Sequence, residues 1–214
     1  KSTGSPETYV INAPQGSDFV VNINDTGSGV ATVRFEGSDD SDVIIVNDDQ
    51  LVVTGAATTT IAHVGTDRVE LNTAGGGDVI TVQSTDIPLY IRSGLGDDTI
   101  TIGNNGSLAE IDALVDVDAF DVFGAGSAPV DRGSDTLLID GRNDTGTLNG
   151  TIGLVDLAQL EGRVAVSGFA LSPAGITYIA VENIEIDLGN GSNTATITST
   201  GLADNTTLRT SGGA

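Results

Sequence analysis

A short cycle of turn and strand recurs along this chain and limits what it can fold into. At residues 93–102 (SGLGDDTITI), glycines alternate with other residues, two aspartates follow, and then every second residue is apolar. Glycine permits the left-handed backbone angles of a sharp corner, and aspartate can bond the turn's own amides or a cation. The next four residues place Ile100 and Ile102 on one face and Thr99 and Thr101 on the other. The unit therefore predicts a corner followed by a half-buried strand.

The apolar residues keep a fixed register relative to one polar residue in each turn. Counted from Asp98, they lie two and four places later and seven and nine places earlier. The turn positions that we assign to this register are Asp18, Asp42, Asp78, Asp98, Asp135 and Asn193. The residues predicted to face the core are Tyr9, Ile11, Val20, Val33, Phe35, Ile44, Val46, Val69, Leu71, Ile80, Val82, Leu89, Ile91, Ile100, Ile102, Leu137, Ile139, Ile184, Ile186, Ala195 and Ile197.

The spacing of these turns predicts a stack of similar coils. Successive turn positions are 24, 36, 20, 37 and 58 residues apart. Most spacings lie near one, two or three multiples of a coil of about 20 residues, if some coils lack the glycine turn. A unit this small cannot bury its apolar face alone, so coils must stack. We therefore predict an all-β fold, a parallel β-solenoid of the β-helix or β-roll type. A β-sandwich is the alternative, but few two-residue Asn-Gly or Asp-Gly turns join adjacent strands.

The pattern also gives a domain organisation. Residues 1–8 are predicted to be a ragged N-terminal end, and residues 9–214 a single continuous solenoid domain. Irregular insertions are predicted at residues 104–133 and 140–175, and residues 155–161 form the one short helix we expect. The clearest strands are predicted near residues 43–46, 50–54, 59–64, 68–71, 79–82, 88–92 and 99–102.

Composition narrows the class of protein and of partner. With 38% apolar residues in short alternating runs, the chain has enough hydrophobic surface to fold. Its formal charge is −22, from 30 acidic and 8 basic residues, which argues against nucleic-acid binding because phosphate neutralisation needs Lys and Arg. No apolar run is long enough to span a bilayer, so membrane insertion is not expected. The absence of cysteine excludes disulfides and thiolate sites.

The turn sequences point to a known kind of repeat. Residues 93–101 resemble the RTX nonapeptide of hemolysin-type calcium-binding proteins, Gly-Gly-x-Gly-x-Asp-x-apolar-x, with Ser93 in the place of the first glycine. Residues 75–81 and 189–196 resemble degraded copies. The connecting stretches resemble repeats of very large secreted bacterial surface or matrix proteins.

The resemblance implies a cofactor and a set of ligands. In the RTX family, tandem nonapeptides form a parallel β-roll in which aspartates and turn carbonyls of successive coils bind calcium. It implies calcium ligands at Asp98 and Asp78. Calcium takes six to eight oxygens, so adjacent turns would have to share ions. The full set of metal ligands that we predict, with neighbouring acidic turns included, is Asp39, Asp40, Asp42, Asp78, Asp97 and Asp98. Aspartates that merely cap turns are the alternative.

The sequence offers little for catalysis. His63 is the sole histidine, it lies in an alternating strand, and nothing singles out a nucleophile or an orienting acid beside it. The carboxylates that merit attention as an enzymatic pair are Asp116, Asp118 and Asp121, with Arg132 or Arg142 as the basic partner. Asp at every second strand position is, however, typical of an outward, solvated face. We predict that the protein is not an enzyme.

Two arginines are expected on the outside of the coils. Arg34 and Arg92 alternate with Val33 and Ile91, so they should project outward, where aspartates of neighbouring coils are candidate partners. Arg209 matches Arg92 in register. Exposed pairs of this kind contribute little stability.

Taken together, these features predict a structural repeat segment. We expect it to belong to a secreted bacterial cell-surface, fibre or matrix protein of the stalk, adhesin or surface-layer type, stabilised by calcium and located outside the cell. The predicted partners are neighbouring repeats or other copies of the same chain, through uncapped coil edges, and surface glycans. The alternative function is a glycan-binding or glycan-cleaving module that uses the 104–175 insertions.

Overall fold

The fold consists of β-strands throughout the part of the chain that the structure describes. The computed structural model describes residues 4–13, 16–120, 133–155, 162–171, 175–201 and 205–210. The strands in these ranges are β1 (Glu7–Asn12), β2 (Phe19–Asn24), β3 (Ala31–Glu36), β4 (Val43–Asn47), β5 (Gln50–Thr54), β6 (Thr58–Val64), β7 (Arg68–Asn72), β8 (Val79–Val82), β9 (Leu89–Arg92), β10 (Thr99–Ile102), β11 (Val115–Asp118), β12 (Thr136–Gly141), β13 (Asn149–Leu154), β14 (Val164–Gly168), β15 (Ile176–Ile179), β16 (Asn183–Leu188), β17 (Thr194–Ile197) and β18 (Asn205–Thr210). The predicted all-β class is confirmed.

The strands form two large, mostly parallel sheets, and the chain passes repeatedly from one to the other. Sheet A has the order β1-β3-β7-β9-β11-β15-β14-β13-β17. Sheet B has the order β18-β16-β12-β10-β8-β4-β5-β6-β2. We call one passage of the chain through both sheets a rung. Because strands of successive rungs pair in parallel, each strand meets the equivalent strand of the next passage, as in the pairing of Thr99–Ile102 with Val79–Val82.

Strand alternation builds the core between the two sheets. The seven strands predicted between residues 43 and 102 are confirmed as β4 to β10, with each end within one residue of its expected place. In β10, Ile100 and Ile102 are fully buried, whereas Thr99 on the other face is exposed. The same burial holds for the predicted inward residues of β3, β4, β7, β8, β9 and β12. Period-two alternation therefore located this part of the core correctly.

The spacing of 36 residues between Asp42 and Asp78 was predicted to represent two coils, but it represents one rung, as does the spacing of 20 residues between Asp78 and Asp98. From β4 the chain turns at Asp48 and Asp49 and runs back as β5, and β6 then returns antiparallel to β5, all within sheet B. Strands β13, β14 and β15 make the same excursion within sheet A. The backbone amide of Asp42 bonds the side chain of Asp78 directly, so these turns belong to adjacent rungs. The two-coil prediction was wrong because a hairpin lying in the sheet adds residues without adding a rung.

The register was also misassigned at both ends of the array. Val20 is 66% exposed, because β2 pairs with β6 in a register that turns Val21 and Ile23 inward instead. At the other end, Ile184 and Ile186 are buried as predicted, but β16 belongs to sheet B, beside β12.

The strand that follows Asn193 is misplaced in the predicted array as well. It is β17, which pairs with β13 in sheet A, and its Ile197 is 44% exposed. Arg209 lies in sheet B, opposite Asp187, and so does not match Arg92 of sheet A.

The regions predicted as insertions contribute strands to the sheets. Strand β11 lies between β9 and β15 as a regular member of sheet A. Residues 121–132 and the predicted helix at 156–161 lie outside the described residues. Within the described ranges, no helix is both long enough and apolar enough to cross a membrane.

Candidate functional site

Glycine-rich turns of successive rungs lie directly on one another. Gly96 has a φ of +122°, and a Cβ built on it would lie 1.7 Å from the carbonyl oxygen of Gly76 in the preceding rung. Gly133 contacts Gly96 in the same way, with 1.8 Å between its virtual Cβ and the Gly96 oxygen. No side chain fits between backbones this close. The glycines of the RTX-like motif are therefore required by turn stacking as well as by turn geometry.

A row of five carboxylates runs beside these turns; four of them are buried and the fifth, Glu182, is half-buried. The backbone amide of Asp42 donates to Oδ1 of Asp78 over 2.8 Å, and the amide of Asp78 donates to Oδ1 of Asp98 over 2.8 Å. The amide of Asp98 donates in turn to Oδ1 of Asp135 over 2.8 Å, and that of Asp135 to Oε2 of Glu182 over 2.8 Å. The carboxylates of Asp78, Asp98, Asp135 and Glu182 thus each satisfy an amide at the start of a strand in the previous rung, and Asp42 contributes the first of these amides. We call these five residues the carboxylate ladder.

Main-chain bonds continue the ladder into the sheet. The carbonyl of Asp78 accepts from the amide of Thr99, and the carbonyl of Asp98 accepts from that of Thr136, both over 2.8 Å. Asp78 therefore makes two bonds to the next rung: its carbonyl accepts from the amide of Thr99, and its amide donates to the side chain of Asp98. The ladder extends the hydrogen bonding of sheet B by one position beyond the strand.

The ladder requires an acceptor oxygen rather than an aspartate. Oδ1 of Asn193 accepts from the amide of Leu148 over 2.9 Å, and its Nδ2 donates to the carbonyl of Gly189. Oδ1 of Asp18 accepts from Thr58, and Oδ2 of Asp67 accepts from Ala31, each over 2.7 Å. Aspartate, glutamate and asparagine thus fill the same role in different rungs.

The structure divides the six predicted metal ligands into two groups. Asp42, Asp78 and Asp98 point inward and are 5%, 0% and 1% exposed. Asp39, Asp40 and Asp97 are exposed on the turns. Of the exposed three, Asp97 accepts a 2.9 Å bond from the amide of Ser134 in the next rung. Across the described part of the chain, no group of three or more His, Cys, Asp or Glu side chains is arranged to hold a metal ion.

Burial makes the inner carboxylates weak acids to differing degrees. Burial raises the pKa of Asp78 to about 6, although hydrogen bonds from Thr73 and from the Asp42 amide oppose the shift. The pKa of Asp42 is also raised, chiefly by burial and secondarily by the charge of Asp40. Burial therefore makes Asp78 and Asp42 harder to ionise in the folded protein than in the unfolded chain.

A second cluster of polar side chains forms a groove of about 360 Å³ on the outward face of sheet A. We call it the arginine groove. Its polar lining residues are Arg34, Glu36, Arg68, Glu70, Asn72, Tyr90, Arg92, Asp116, Asp118 and Arg163. They come from β3, β7, β9 and β11, together with the segment before β14. Parallel pairing brings these outward positions side by side, which no single strand could do.

Ion pairs organise most of the arginine groove. Arg34 donates from Nε to Glu70 over 2.6 Å, and Arg68 approaches the same carboxylate within 3.0 Å. Arg163 pairs with Asp116 and lies 3.4 Å from Asp118. The Arg163 side chain is only 12% exposed, so this second pair is largely shielded from solvent.

The residues considered for catalysis do not converge. His63 is buried, its Nδ1 lies 2.9 Å from the Thr66 hydroxyl, and burial lowers its pKa. Asp116 and Asp118 are held by Arg163 rather than by Arg142, which pairs with Asp140 over 3.3 Å. Asp121 and Arg132 lie outside the described residues.

The groove is the feature that sequence reasoning missed. Alternation placed Arg34 and Arg92 outside, and Arg34 does pair with a neighbouring rung, but its partner is Glu70 and not the predicted aspartate. The convergence with Arg163 depends on the β13-β14-β15 excursion, which strand alternation does not encode. No family model, curated protein or solved structure matches this chain.

Proposed function

We propose that this chain is a segment of a parallel β-solenoid whose role is structural, within a secreted bacterial surface, fibre or matrix protein. Support comes from the way the chain alternates between two sheets while each strand pairs in parallel with the next rung. An architecture in which each repeat contacts its neighbours builds length in one direction. The absence of cysteine and the RTX-like turns are consistent with an extracellular location.

The observation that carries the proposal is the state of the C-terminal edge of sheet B. All six residues of β18 are exposed. Leu208 continues the inward row that contains Ile186 of β16, yet it is 39% exposed, and Ile197 of the neighbouring edge strand β17 is 44% exposed. An edge with free backbone groups and inward apolar residues accepts a further strand in register. We propose that this edge receives another rung, from a neighbouring repeat or from a second copy.

Concentration-dependent association tests this proposal. We expect light scattering after size exclusion, and negative-stain electron microscopy, to show end-to-end oligomers that grow with protein concentration. Leu208→Lys should reduce them, because it places a charge on the exposed edge of the core. Val79→Lys is the matched control, since Val79 is 42% exposed but lies in the middle of sheet B. Monomers alone at the highest concentration, or equal loss in both variants, would contradict edge-to-edge assembly.

The extracellular location needs a separate measurement. Protease treatment of intact cells that produce the protein should remove the epitope recognised by an antibody raised against this chain. A cytoplasmic protein probed in the same samples should survive. Protection of the epitope until the cells are lysed would contradict the proposed location.

We propose calcium binding only at the exposed turn carboxylates, and not at the buried ones. One oxygen of Asp78 and one of Asp98 are engaged by backbone amides, whereas Asp39, Asp40 and Asp97 are exposed where turns stack. Ions bound at the outer carboxylates would offset repulsion in a chain of charge −22.

A further inference from the structure

The arginine groove concentrates positive charge in a strongly acidic protein. The whole chain has only eight Lys and Arg residues, and four of them line this groove: Arg34, Arg68, Arg92 and Arg163. Four carboxylates balance their charge, so the groove is locally neutral while the chain as a whole carries −22. In contrast, the outward side chains of β4, β5, β8 and β10 in sheet B are all uncharged. Charged side chains on the outward face of sheet B lie towards its C-terminal edge, where Arg209 pairs with Glu185. The cluster of four arginines is confined to sheet A.

Among the four arginines of the groove, Arg92 is the one that forms no ion pair with the carboxylates described there. It is exposed and has no ion pair within the described part of the chain. Strand pairing sets it between Asn72 of β7 and Asp118 of β11. Asp118 is already engaged by Arg163, and Asn72 donates to Glu36 over 2.6 Å. The guanidinium therefore offers its planar array of donors to a ligand.

Tyr90 supplies an aromatic surface two residues before Arg92 on the same face of β9. Its ring lies 6.0 Å from the guanidinium carbon of Arg68, which is a cation–π distance. Arg68, which pairs with Glu70, lies over one face of the ring, so a ligand would stack on the opposite face. An aromatic ring with fixed polar neighbours can receive the C–H face of a sugar while its neighbours bond the hydroxyls.

The lining indicates which chemistry the groove can accept. The apolar residues that contribute, Leu71 and Ile91, are 1% and 0% exposed, so the floor has no pocket for an apolar peptide anchor. Glu70 accepts a hydrogen bond from Arg34, and Asp116 accepts from Arg163 and Thr177. The lone pairs that remain on these carboxylates can accept hydrogen bonds from hydroxyl groups. A saccharide supplies hydroxyls, and a carboxylate on it matches the fork of Arg92.

We propose that the arginine groove binds a carboxylate-bearing saccharide, a polymer of uronic acid residues. Arg92 holds a sugar carboxylate, Tyr90 stacks on a ring, and Glu70 and Asp116 accept bonds from hydroxyls. This assigns glycan engagement to the outward face of sheet A, with Asp116, Asp118 and Arg163 drawn from the predicted insertions. The groove contains no residue of the C-terminal edge, so a test of saccharide binding is independent of the test of the structural role.

Calorimetric titration of the whole chain tests this binding. The probes are a galacturonate hexamer and, as the uncharged comparison, maltohexaose, both in 0.15 M NaCl with EDTA so that metal-bridged binding does not contribute. We expect the uronate hexamer to bind measurably at millimolar concentration and maltohexaose to bind at least tenfold more weakly, since it cannot use the charge-assisted bonds of Arg92. No heat from the uronate, or equal binding of both sugars, would overturn the proposal.

Matched variants connect any binding to the groove. Arg92→Gln should weaken the uronate hexamer about 10- to 100-fold, because it removes charge-assisted hydrogen bonds. Arg209→Gln removes an arginine from the outward face of sheet B and should leave binding unchanged. Tyr90→Leu should weaken both sugars alike, because stacking does not depend on ligand charge. Uronate binding that survives Arg92→Gln undiminished, or that falls equally in Arg209→Gln, would overturn the assignment. Circular dichroism of each variant confirms that it folds.

Discussion

At the scale of single residues, the carboxylate ladder separates two roles that sequence alone cannot distinguish. An aspartate after a glycine turn is read first as a metal ligand, and Asp78 and Asp98 fit that pattern. The structure gives each of them an amide of the preceding rung as a partner. Asn193 and Glu182 serve other rungs in the same way, which indicates that the essential property is an acceptor oxygen.

Substitution of Asp78 tests this interpretation. Asp78→Asn keeps an acceptor for the Asp42 amide and removes a buried charge, so we expect it to lose at most about 1 kcal/mol of unfolding free energy. Asp78→Ala leaves that buried amide without an acceptor and should cost about 1–3 kcal/mol more. Urea unfolding followed by far-ultraviolet circular dichroism at pH 7 measures both values.

The exposed Asp39 provides the control for this pair. Asp39→Asn should have almost no effect, because surface substitutions usually stay within about 0.5 kcal/mol. If Asp78→Asn were as damaging as Asp78→Ala, the charge itself would be required, and the calcium hypothesis would gain support instead.

Asp78 also predicts a pH dependence. Its pKa of about 6 in the folded protein lies above the ordinary aspartate pKa of 3.8, so the folded state binds the proton more tightly than the unfolded chain does. The corresponding stability is complete below pH 3.8 and is lost as the pH rises through about 6. The unfolding free energy of the native protein, minus that of Asp78→Asn, should therefore fall between pH 4 and pH 7. The expected fall is roughly 1.4 kcal/mol for each unit by which the pKa is raised. A difference that stays constant or rises with pH would contradict this assignment.

At the scale of elements, strands were predictable and their connections were not. Alternating apolar residues located β4 to β10 because each strand has one face on the core and one in solvent. The excursions β4-β5-β6 and β13-β14-β15 escaped prediction because antiparallel and parallel strands share the same period of two. Which strand pairs with which depends on contacts between residues far apart in the chain. The arginine groove depends on those pairings, so it was not foreseen as a site.

The stacked turns make Gly96 an informative position for mutation. A Cβ there would overlap the carbonyl of Gly76, and the φ of +122° is unfavourable for any other residue. We expect Gly96→Ala to cost more than about 2 kcal/mol, because strain and a backbone clash add. Thermal unfolding compared with the native protein measures this cost.

Gly146 is the matched control within the same fold. It has no atoms within 4 Å of a virtual Cβ and no left-handed φ. Gly146→Ala should therefore change stability by less than about 0.5 kcal/mol. Equal effects at the two positions would show that the turns do not stack as tightly as the structure indicates.

At the scale of the whole molecule, the charge of −22 destabilises the folded state through self-repulsion unless bound or free cations offset it. Calcium at the exposed turn carboxylates should raise the unfolding temperature by several degrees relative to EDTA. Sodium chloride at matched ionic strength provides the control, since screening alone acts on all surface charges. If the calcium and sodium curves coincide, general screening accounts for the stabilisation and specific calcium binding is contradicted.

The order of strands also determines how the molecule responds to force. Strands β1 and β2 end the two sheets at one side, and β17 and β18 end them at the other. Ladder hydrogen bonds run from strand to strand, perpendicular to the strands. A pull between the two ends would therefore load successive ladders in series and open them one strand at a time, instead of shearing many bonds together.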